Sequence, residues 1–205
     1  DDIDAQLERT DDLVRVVQQV PAMLGAEGRR VYFVAFTTPA EARGLGGFMG
    51  NWAEFTIENG DIELTEFGRS DDLDDFASPG ERKVTGPEDW LARYGRYGFT
   101  NGPVNGVGGD PWKNITMSAS MSSTGQVMSE LYPQSGGRDV DGVFVLDVFA
   151  VSALLEFTGP IELPDGQGVV TSENAPQFLL NGQYEETDTE QRIDVLEIVS
   201  NEVFD

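Results

Sequence analysis

The chain has 205 residues, and its 37 acidic side chains against 13 basic ones give a formal net charge of −24. It contains neither cysteine nor histidine, which excludes disulfides, thiol nucleophiles, Cys/His zinc sites and a histidine-based triad. So acidic a chain repels nucleic acid, and we expect no nucleic-acid partner. The length and a hydrophobic fraction of 39 % indicate one domain with a substantial core.

The N-terminal segment is predicted to be a helix followed by a connector. Apolar residues recur at helical spacing from about Asp4 to Val20, and Pro21 ends the pattern. We therefore divide the chain into an N-terminal helix and connector, residues 1–24, and a single α/β domain, residues 25–205. No stretch approaches the ~18 apolar residues of a membrane span. The first residue is not Met, so we expect a mature fragment whose membrane anchor lies outside this chain.

The first strand is predicted at Val31–Phe36, a short apolar run that leads into a glycine-rich loop carrying Arg43. Glycine lets the main chain approach a ligand closely, and a guanidinium offers a planar fork of donors to phosphate or carboxylate. The glycines that surround this arginine are Gly44, Gly46, Gly47 and Gly50. The alternative is a tight turn between two strands, with Arg43 solvated.

A β-hairpin is predicted next, because Asn59-Gly60 separates two half-alternating runs, residues 51–57 and 62–67. A short helix follows from Pro87 through Arg93. The segment from Tyr94 to Lys113 is rich in Gly, Asn, Pro and aromatic residues. A loop of this length inside a compact domain is typically functional or mobile.

The second half of the chain alternates between helix and strand. A helix is predicted from Ser122 to Tyr132, followed by a strand–helix–strand unit and a last helix from about Thr189. The three parts of that unit are Val143–Leu146, Phe149–Phe157 and Ile161–Leu163. Together these elements predict the α/β (α+β) class, with a single domain in which helices pack on a mixed β-sheet.

Six of the thirteen basic residues lie between Arg69 and Lys113. With Arg43 they form a basic-enriched region that would attract an anionic group; the alternative is pairing with neighbouring acids on a solvated face, worth about 0–1 kcal/mol. Four acids could ligate Mg²⁺ through oxygen, or they could cap a helix in a solvated acidic turn: Asp71, Asp72, Asp74 and Asp75. A glycosidase needs a pair of carboxylates, and the sequence does not indicate which two of the 37 acidic residues could form it.

Several landmarks, taken in order, resemble the domain of unknown function 4012 family, envelope proteins of Gram-positive and chiefly actinomycete bacteria. They cover roughly residues 22–205 and include Arg43-x-x-Gly-Gly-Phe48, Trp112–Asn114, Val140–Asp147 and Thr158-Gly-Pro160. That family is distantly similar to the LytR–CpsA–Psr proteins, which transfer glycopolymers from polyprenyl-pyrophosphate carriers to the cell wall. The resemblance implies a LytR–CpsA–Psr-like fold and phosphate contacts from Arg43, Arg69 and Arg192.

Two departures from the LytR–CpsA–Psr pattern leave transfer activity open. Gly44-Leu45 replaces the acid expected after the first arginine, which bears on metal binding, and Asn181–Tyr184 stands near the place of a late arginine pair. The resemblance therefore implies an extracellular cell-envelope domain that binds a polyprenyl-pyrophosphate-linked glycopolymer, as a glycopolymer transferase or without turnover. The alternatives are a non-catalytic envelope glycan- or protein-binding domain, and an exported glycosidase with two carboxylates converging in a cleft.

The site that follows from the residues and the resemblance has catalytic, ligand-binding and metal-binding parts. Arg43, Asp71 and Arg192 are the predicted catalytic residues, and Asp71 with Asp72 would hold Mg²⁺. Phe48, Met49 and Phe99 are expected to line a lipid path. The predicted ligand-binding residues are Arg43, Gly46, Gly47, Phe48, Arg69, Ser70, Lys113, Asn114 and Arg192. The expected partner is a lipid-linked glycan or cell-wall polymer.

Overall fold

A four-stranded mixed β-sheet forms the centre of the fold in the computed structural model, which describes residues 14, 17–78, 81–99, 110–163, 168–179 and 198. Its strands lie in the order β3-β2-β1-β4. β1 is antiparallel to β2 and parallel to β4, and β2 is antiparallel to β3. The strands are β1, Arg30–Thr38; β2, Phe48–Glu58; β3, Asp61–Arg69; and β4, Gly142–Asp147.

Helices and short 3₁₀ turns follow the strands along the chain. The helices are α1, Ser70–Asp75; α2, Glu88–Tyr94; α3, Pro111–Asn114; α4, Met121–Leu131; α5, Val148–Thr158; and α6, Ala175–Gln177. The 3₁₀ turns are Gly95–Tyr97, Ile115–Met117 and Pro133–Ser135. Two further strands, β5 (Ile161–Leu163) and β6 (Gly168–Val170), pair with each other in a small second sheet.

The predicted hairpin between β2 and β3 is confirmed, and its turn has the expected geometry. Asn59 and Gly60 have φ values of +54° and +91°. Both central residues therefore adopt the left-handed conformation that a tight two-residue hairpin requires, and Asn and Gly adopt it most easily. The chain thus reverses at the position that the sequence indicates.

The predicted α/β class and the mixed sheet with packed helices are confirmed. The strand–helix–strand unit is present as β4, α5 and β5, but β5 pairs with β6 instead of joining the central sheet. The helix at residues 17–23 continues through Pro21. The predicted start of that helix and the last helix from Thr189 lie outside the described residues, and the division at residues 24 and 25 stays a prediction.

Side-chain alternation in the sheet produces two hydrophobic cores, one on each face. In β1, Phe33 and Ala35 face a core that includes side chains of α1 to α4. Val34 and Phe36 face the opposite core, which includes side chains of α5, β5 and β6. The central sheet is therefore covered on both faces, as expected for a sheet that contains a parallel strand pair.

An aromatic cluster around Phe33 forms the centre of the first core. The Phe33 ring lies 4.8 Å from the Tyr132 ring, 5.3 Å from the Trp112 ring and 5.9 Å from the Trp52 ring, and it is fully buried. These neighbours come from β2, α3 and the end of α4. Phe33 therefore connects the sheet with the helical layer that covers it.

No helix within the described part of the chain is long and apolar enough to cross a membrane.

Replacing Phe33 by Ala should destabilise the fold by about 3–5 kcal/mol, because it opens a cavity among three aromatic rings. Urea unfolding followed by tryptophan fluorescence measures this change in the free energy of unfolding. The matched control is Phe157→Ala on α5, where the ring is 89 % exposed and the expected change is within about 0.5 kcal/mol. Equal losses in the two variants would contradict the assigned core.

Candidate functional site

An open cleft of about 410 Å³ lies beside the glycine-rich loop that joins β1 to β2. The loop, the end of α2 with its following 3₁₀ turn, and Met117 form its walls. We call it the arginine cleft, because its lining residues are Ala42, Arg43, Gly44, Arg93, Tyr94, Arg96, Tyr97 and Met117.

Glycine allows the loop to pack directly against the neighbouring backbone. A Cβ atom on Gly44 would lie 2.3 Å from the carbonyl oxygen of Met117, and one on Gly47 would lie 2.1 Å from that of Thr38. Both separations are far below van der Waals contact, so these positions require glycine. The Leu45 N–H also donates to the Thr116 carbonyl at 2.9 Å, and the loop is thereby held against the Ile115–Met117 turn.

Arg43 is held at the cleft by weak local contacts. Its Nη1 donates to the Ala42 carbonyl at 3.1 Å, and its Nη2 lies 3.4 Å from the Glu41 carboxylate. The guanidinium also lies 5.7 Å from the centre of the half-buried Phe48 ring, within the range of a cation–π contact. The Arg43 guanidinium is therefore oriented, but its one ion pair is long.

Three buried polar atoms at this loop have no hydrogen-bond partner among the described residues. They are Arg43 Nε and the hydroxyls of Thr37 and Thr116. Thr116 belongs to the turn that hydrogen-bonds to the loop, and the Thr37 hydroxyl lies 3.7 Å from the Cβ position of Gly46. Unpartnered buried polar groups are rare in folded proteins, and this concentration favours the loop as a functional site.

Arg93 lies in the last turn of α2 and Arg96 in the 3₁₀ turn that follows it, and both residues line the cleft. Arg96 Nη2 donates to the Tyr97 hydroxyl at 2.8 Å, and its guanidinium lies 4.8 Å from that ring's centre. Neither arginine forms an ion pair with any carboxylate that the structure describes. Three arginines therefore line one cleft, and among the described residues Glu41 is the acid that pairs with one of them.

Of the residues predicted from the sequence, Arg43 lines this cleft and Phe48 supports it. Gly46 and Gly47 lie in the loop, but Gly47 is buried against Thr38 and presents no surface to a ligand. Asn114 contributes indirectly, because its side-chain amide donates to the carbonyl of Tyr97 at 3.5 Å and to that of Asp110 at 3.1 Å.

The predicted residues Arg69 and Ser70 lie at the junction of β3 and α1, Lys113 lies on α3, and none of the three lines the cleft. Arg69 ends β3, and Ser70 begins α1 with only 2 % of its surface exposed. Lys113 Nζ lies 3.2 Å from Asp71 Oδ1, and hydrogen bonding to Asp71 raises the pKa of Lys113. Arg192 lies outside the described residues, so its place at the site stays a prediction.

The arrangement of Asp71 and Asp72 does not fit a Mg²⁺ site. Asp71 pairs with Lys113, and the Asp72 carboxylate accepts the Arg69 backbone N–H at 2.8 Å. Mg²⁺ needs an octahedral set of oxygen ligands, and the described residues contain no group of three or more acids, cysteines or histidines able to hold a metal ion. The function proposed below therefore includes no metal-dependent step at this position.

The expected lipid path is wrong for two of its three residues. Met49 is fully buried, and Phe99 is 3 % exposed and packs edge-on against Trp90 at 4.7 Å. Both side chains belong to the same core, Met49 from β2 and Phe99 from the chain that follows the Gly95–Tyr97 turn. Phe48 is half-buried and contacts Arg43.

A second possible location is the crevice at the carboxyl ends of the parallel strands β1 and β4, where α/β sheets commonly bind ligands. Thr38, Asn51 and Asp147 line a cavity of about 30 Å³ there. That volume holds little more than one water molecule. The Asp147 carboxylate is also engaged, since it accepts the N–H groups of Phe149 and Ala150 at the start of α5.

Sequence reasoning placed Arg93 and Arg96 in the basic-enriched region with Arg43 but did not name them as site residues. A signal was present, since Arg-Tyr-Gly occurs twice in succession at residues 93–98. The repeat interleaves cations with aromatic rings, a composition suited to phosphate contacts beside a flat ligand face. Its relation to Arg43, fifty residues earlier in the chain, exists only after folding.

Asp74 and Arg82 form a buried ion pair that positions the wall of the cleft. Asp74 accepts the backbone N–H groups of Trp112 at 2.9 Å and Lys113 at 3.3 Å. Arg82 lies 3.7 Å from the Asp74 carboxylate and also donates to the Asp74 and Ala77 carbonyls. Burial raises the pKa of Asp74 from its ordinary value of 3.8 to about 6, although the two backbone hydrogen bonds oppose the shift.

The comparisons with known proteins give a family but no activity. The family described as "Protein of unknown function (DUF4012)" matches residues 27–184. The match covers most of the chain, and the protein therefore belongs to that family. No curated protein and no solved structure matches the chain.

Asp74 should make stability depend on pH in the window from about 4 to about 6. Because its folded-state pKa is raised, the folded protein binds this proton more tightly than the unfolded chain does. The stability that Asp74 contributes is therefore complete below about pH 4 and is lost as the pH rises through about 6. The difference in unfolding free energy between wild type and Asp74→Asn should fall by on the order of 2–3 kcal/mol across this window.

Urea unfolding of both proteins at several pH values measures this difference. Asp75→Asn is the matched control, since Asp75 is an exposed neighbour on the same helix, and its difference from wild type should stay nearly constant. A constant difference for Asp74→Asn as well would contradict the raised pKa.

Proposed function

We propose that this domain binds the anionic headgroup of a lipid-linked glycopolymer carrier, a polyprenyl pyrophosphate, in the arginine cleft. The observation that carries the proposal is the meeting of Arg43, Arg93 and Arg96 on one open cleft of about 410 Å³. A pyrophosphate carries several negative charges, and each guanidinium can donate two parallel hydrogen bonds to its oxygens.

The charge of the whole chain supports this choice of ligand. With a net charge of −24, the protein surface repels anions in general, so an anion binds only where several cations are concentrated. The cleft provides such a concentration, and Arg96 is held in place by its contacts with Tyr97. A cation that is already oriented loses less conformational entropy when it binds.

The remaining wall of the cleft suits the groups attached to a pyrophosphate. Tyr94, Tyr97 and Met117 are each partly exposed there. Their apolar surfaces can contact the first sugar or the first isoprenoid unit next to the charged centre. The proposed location of the domain, outside the membrane in the cell envelope, rests on the family resemblance.

If the domain also transfers the glycopolymer, the same arginines would stabilise the charge that develops on the leaving pyrophosphate. Asp71, the predicted acid, lies at the β3–α1 junction and pairs with Lys113. Transfer would therefore need an acceptor-activating group at the cleft itself. The second candidate function is glycan binding without turnover, and a separate cavity lined by Glu66, Phe76 and Arg138 favours it.

Replacing Arg43 or Arg96 by Ala should weaken the binding of farnesyl diphosphate, a short soluble polyprenyl diphosphate, by roughly tenfold or more for each variant. The reason is the loss of charge-assisted hydrogen bonds worth about 1.5–3 kcal/mol. Isothermal titration calorimetry measures the Kd, and farnesol and inorganic pyrophosphate separate the contributions of the chain and the headgroup.

Arg69→Ala is the matched control, because Arg69 does not line the cleft and its loss should leave the Kd unchanged. A large effect of Arg69→Ala together with no effect of Arg96→Ala would favour the site predicted from the sequence over the cleft. Absence of farnesyl diphosphate binding by the wild-type domain would refute the proposed function.

A further inference from the structure

A second open cavity, of about 450 Å³, lies between the β2–β3 hairpin, α1 and the turn that follows α4. None of its lining residues lines the arginine cleft. We call it the Glu54 cavity, and the residues that matter for its chemistry are Trp52, Glu54, Glu66, Phe76, Tyr132 and Arg138.

Glu54 is a charged residue in the middle of a strand, and only 1 % of its surface is exposed. Its carboxylate accepts hydrogen bonds from Thr65 Oγ1 at 2.7 Å and from the Tyr132 hydroxyl at 3.1 Å, and it pairs with Arg138 Nη2 at 2.8 Å. Burying a carboxylate is costly, and an apolar residue is often as stable at such a position. The buried Glu54 therefore serves to orient Arg138 and Tyr132 at the cavity wall.

Two glycines bring the main chain directly onto the aromatic rings of this cavity. A Cβ atom on Gly137 would lie 2.3 Å from the Tyr132 ring, and one on Gly136, whose φ is +92°, would lie 2.7 Å from the Phe76 ring. Any larger residue would displace these rings. The Phe76 ring nevertheless remains 63 % exposed, so it offers a flat apolar surface at the cavity that folding leaves uncovered.

The polar groups around the cavity include both donors and acceptors. Arg138 uses one Nη atom on Glu54, and its side chain is 45 % exposed, so further N–H groups are available to a ligand. Glu66 lies opposite Glu54 on the neighbouring strand and is exposed, so its carboxylate supplies acceptors. A purely cationic ligand would use the carboxylates but would be repelled by Arg138.

From this combination we infer that the Glu54 cavity binds a saccharide unit. Sugar hydroxyls both donate and accept hydrogen bonds, which matches the Arg138 and Glu66 groups. The C–H face of a sugar ring is apolar and can pack on the exposed Phe76 ring. Both oxygens of Glu54 already accept hydrogen bonds from fixed donors, so Glu54 organises the site and does not react, in contrast to a glycosidase carboxylate.

The inference is independent of the arginine cleft, and the experiment keeps the two apart because its ligands carry no phosphate. Chitotetraose and maltotetraose are titrated into the wild-type domain by isothermal titration calorimetry. We expect at least one of them to bind with a millimolar or lower Kd. Phe76→Ala and Glu66→Gln should each weaken that binding about tenfold, the loss of one stacking or hydrogen-bonding contact of about 1.4 kcal/mol.

The control variants are Phe157→Ala, whose ring is 89 % exposed on α5, and Glu63→Gln, an exposed acid elsewhere on β3. Both should keep the wild-type Kd, and thermal unfolding checks that all four variants fold. Tetralysine is titrated in parallel as a cationic ligand. Failure of both oligosaccharides to bind, unchanged binding by Phe76→Ala, or tetralysine binding that depends on Glu66 in place of saccharide binding would overturn the inference.

Discussion

Asp74 lies buried at the end of α1, and its carboxylate accepts the backbone N–H groups of Trp112 and Lys113. This connection fixes the segment that begins α3 to the helix that directly follows β3. The same segment continues through Asn114, which contacts the Tyr97 carbonyl, to Met117, against which Gly44 packs. Burial of one carboxylate therefore positions both walls of the arginine cleft. The cost of that burial is seen in its raised pKa and is offset by hydrogen bonds and by Arg82.

The two cavities offer different binding groups in a protein whose net charge is strongly negative. The arginine cleft brings three arginines together in a chain whose net charge is −24, and such a concentration of cations favours an anionic ligand. In the Glu54 cavity, a cation and several acids lie beside aromatic rings, which suits a neutral ligand rich in hydroxyls. A charged carrier headgroup and a sugar are the two parts of a lipid-linked glycan, and the proposed sites correspond to these two chemistries.

Local patterns explain why the secondary structure could be predicted from the sequence. The alternation of β2 and β3 around Asn59-Gly60 specifies a hairpin, and the apolar run of β4 followed by α5 specifies a strand and a helix, although β4 lies at the sheet edge and is only partly buried. Such signals depend on residues within a few positions of each other. The pairing of β5 with β6 was missed for the opposite reason, because three-residue strands carry too little pattern to identify a partner.

The sequence by itself determined the fold class and the absence of thiol and imidazole chemistry, and it singled out Arg43 in its glycine-rich loop as a candidate. Only the tertiary structure decided which cations accompany Arg43. It brought Arg93 and Arg96 to the cleft, left Arg69 at the end of β3 outside the cleft lining, and paired Lys113 with Asp71. Composition and short-range spacing report what a segment can form, whereas a binding site depends on which distant segments the buried contacts bring together. In this protein those contacts are the close backbone approach at Gly44 and the hydrogen bonds to Asp74.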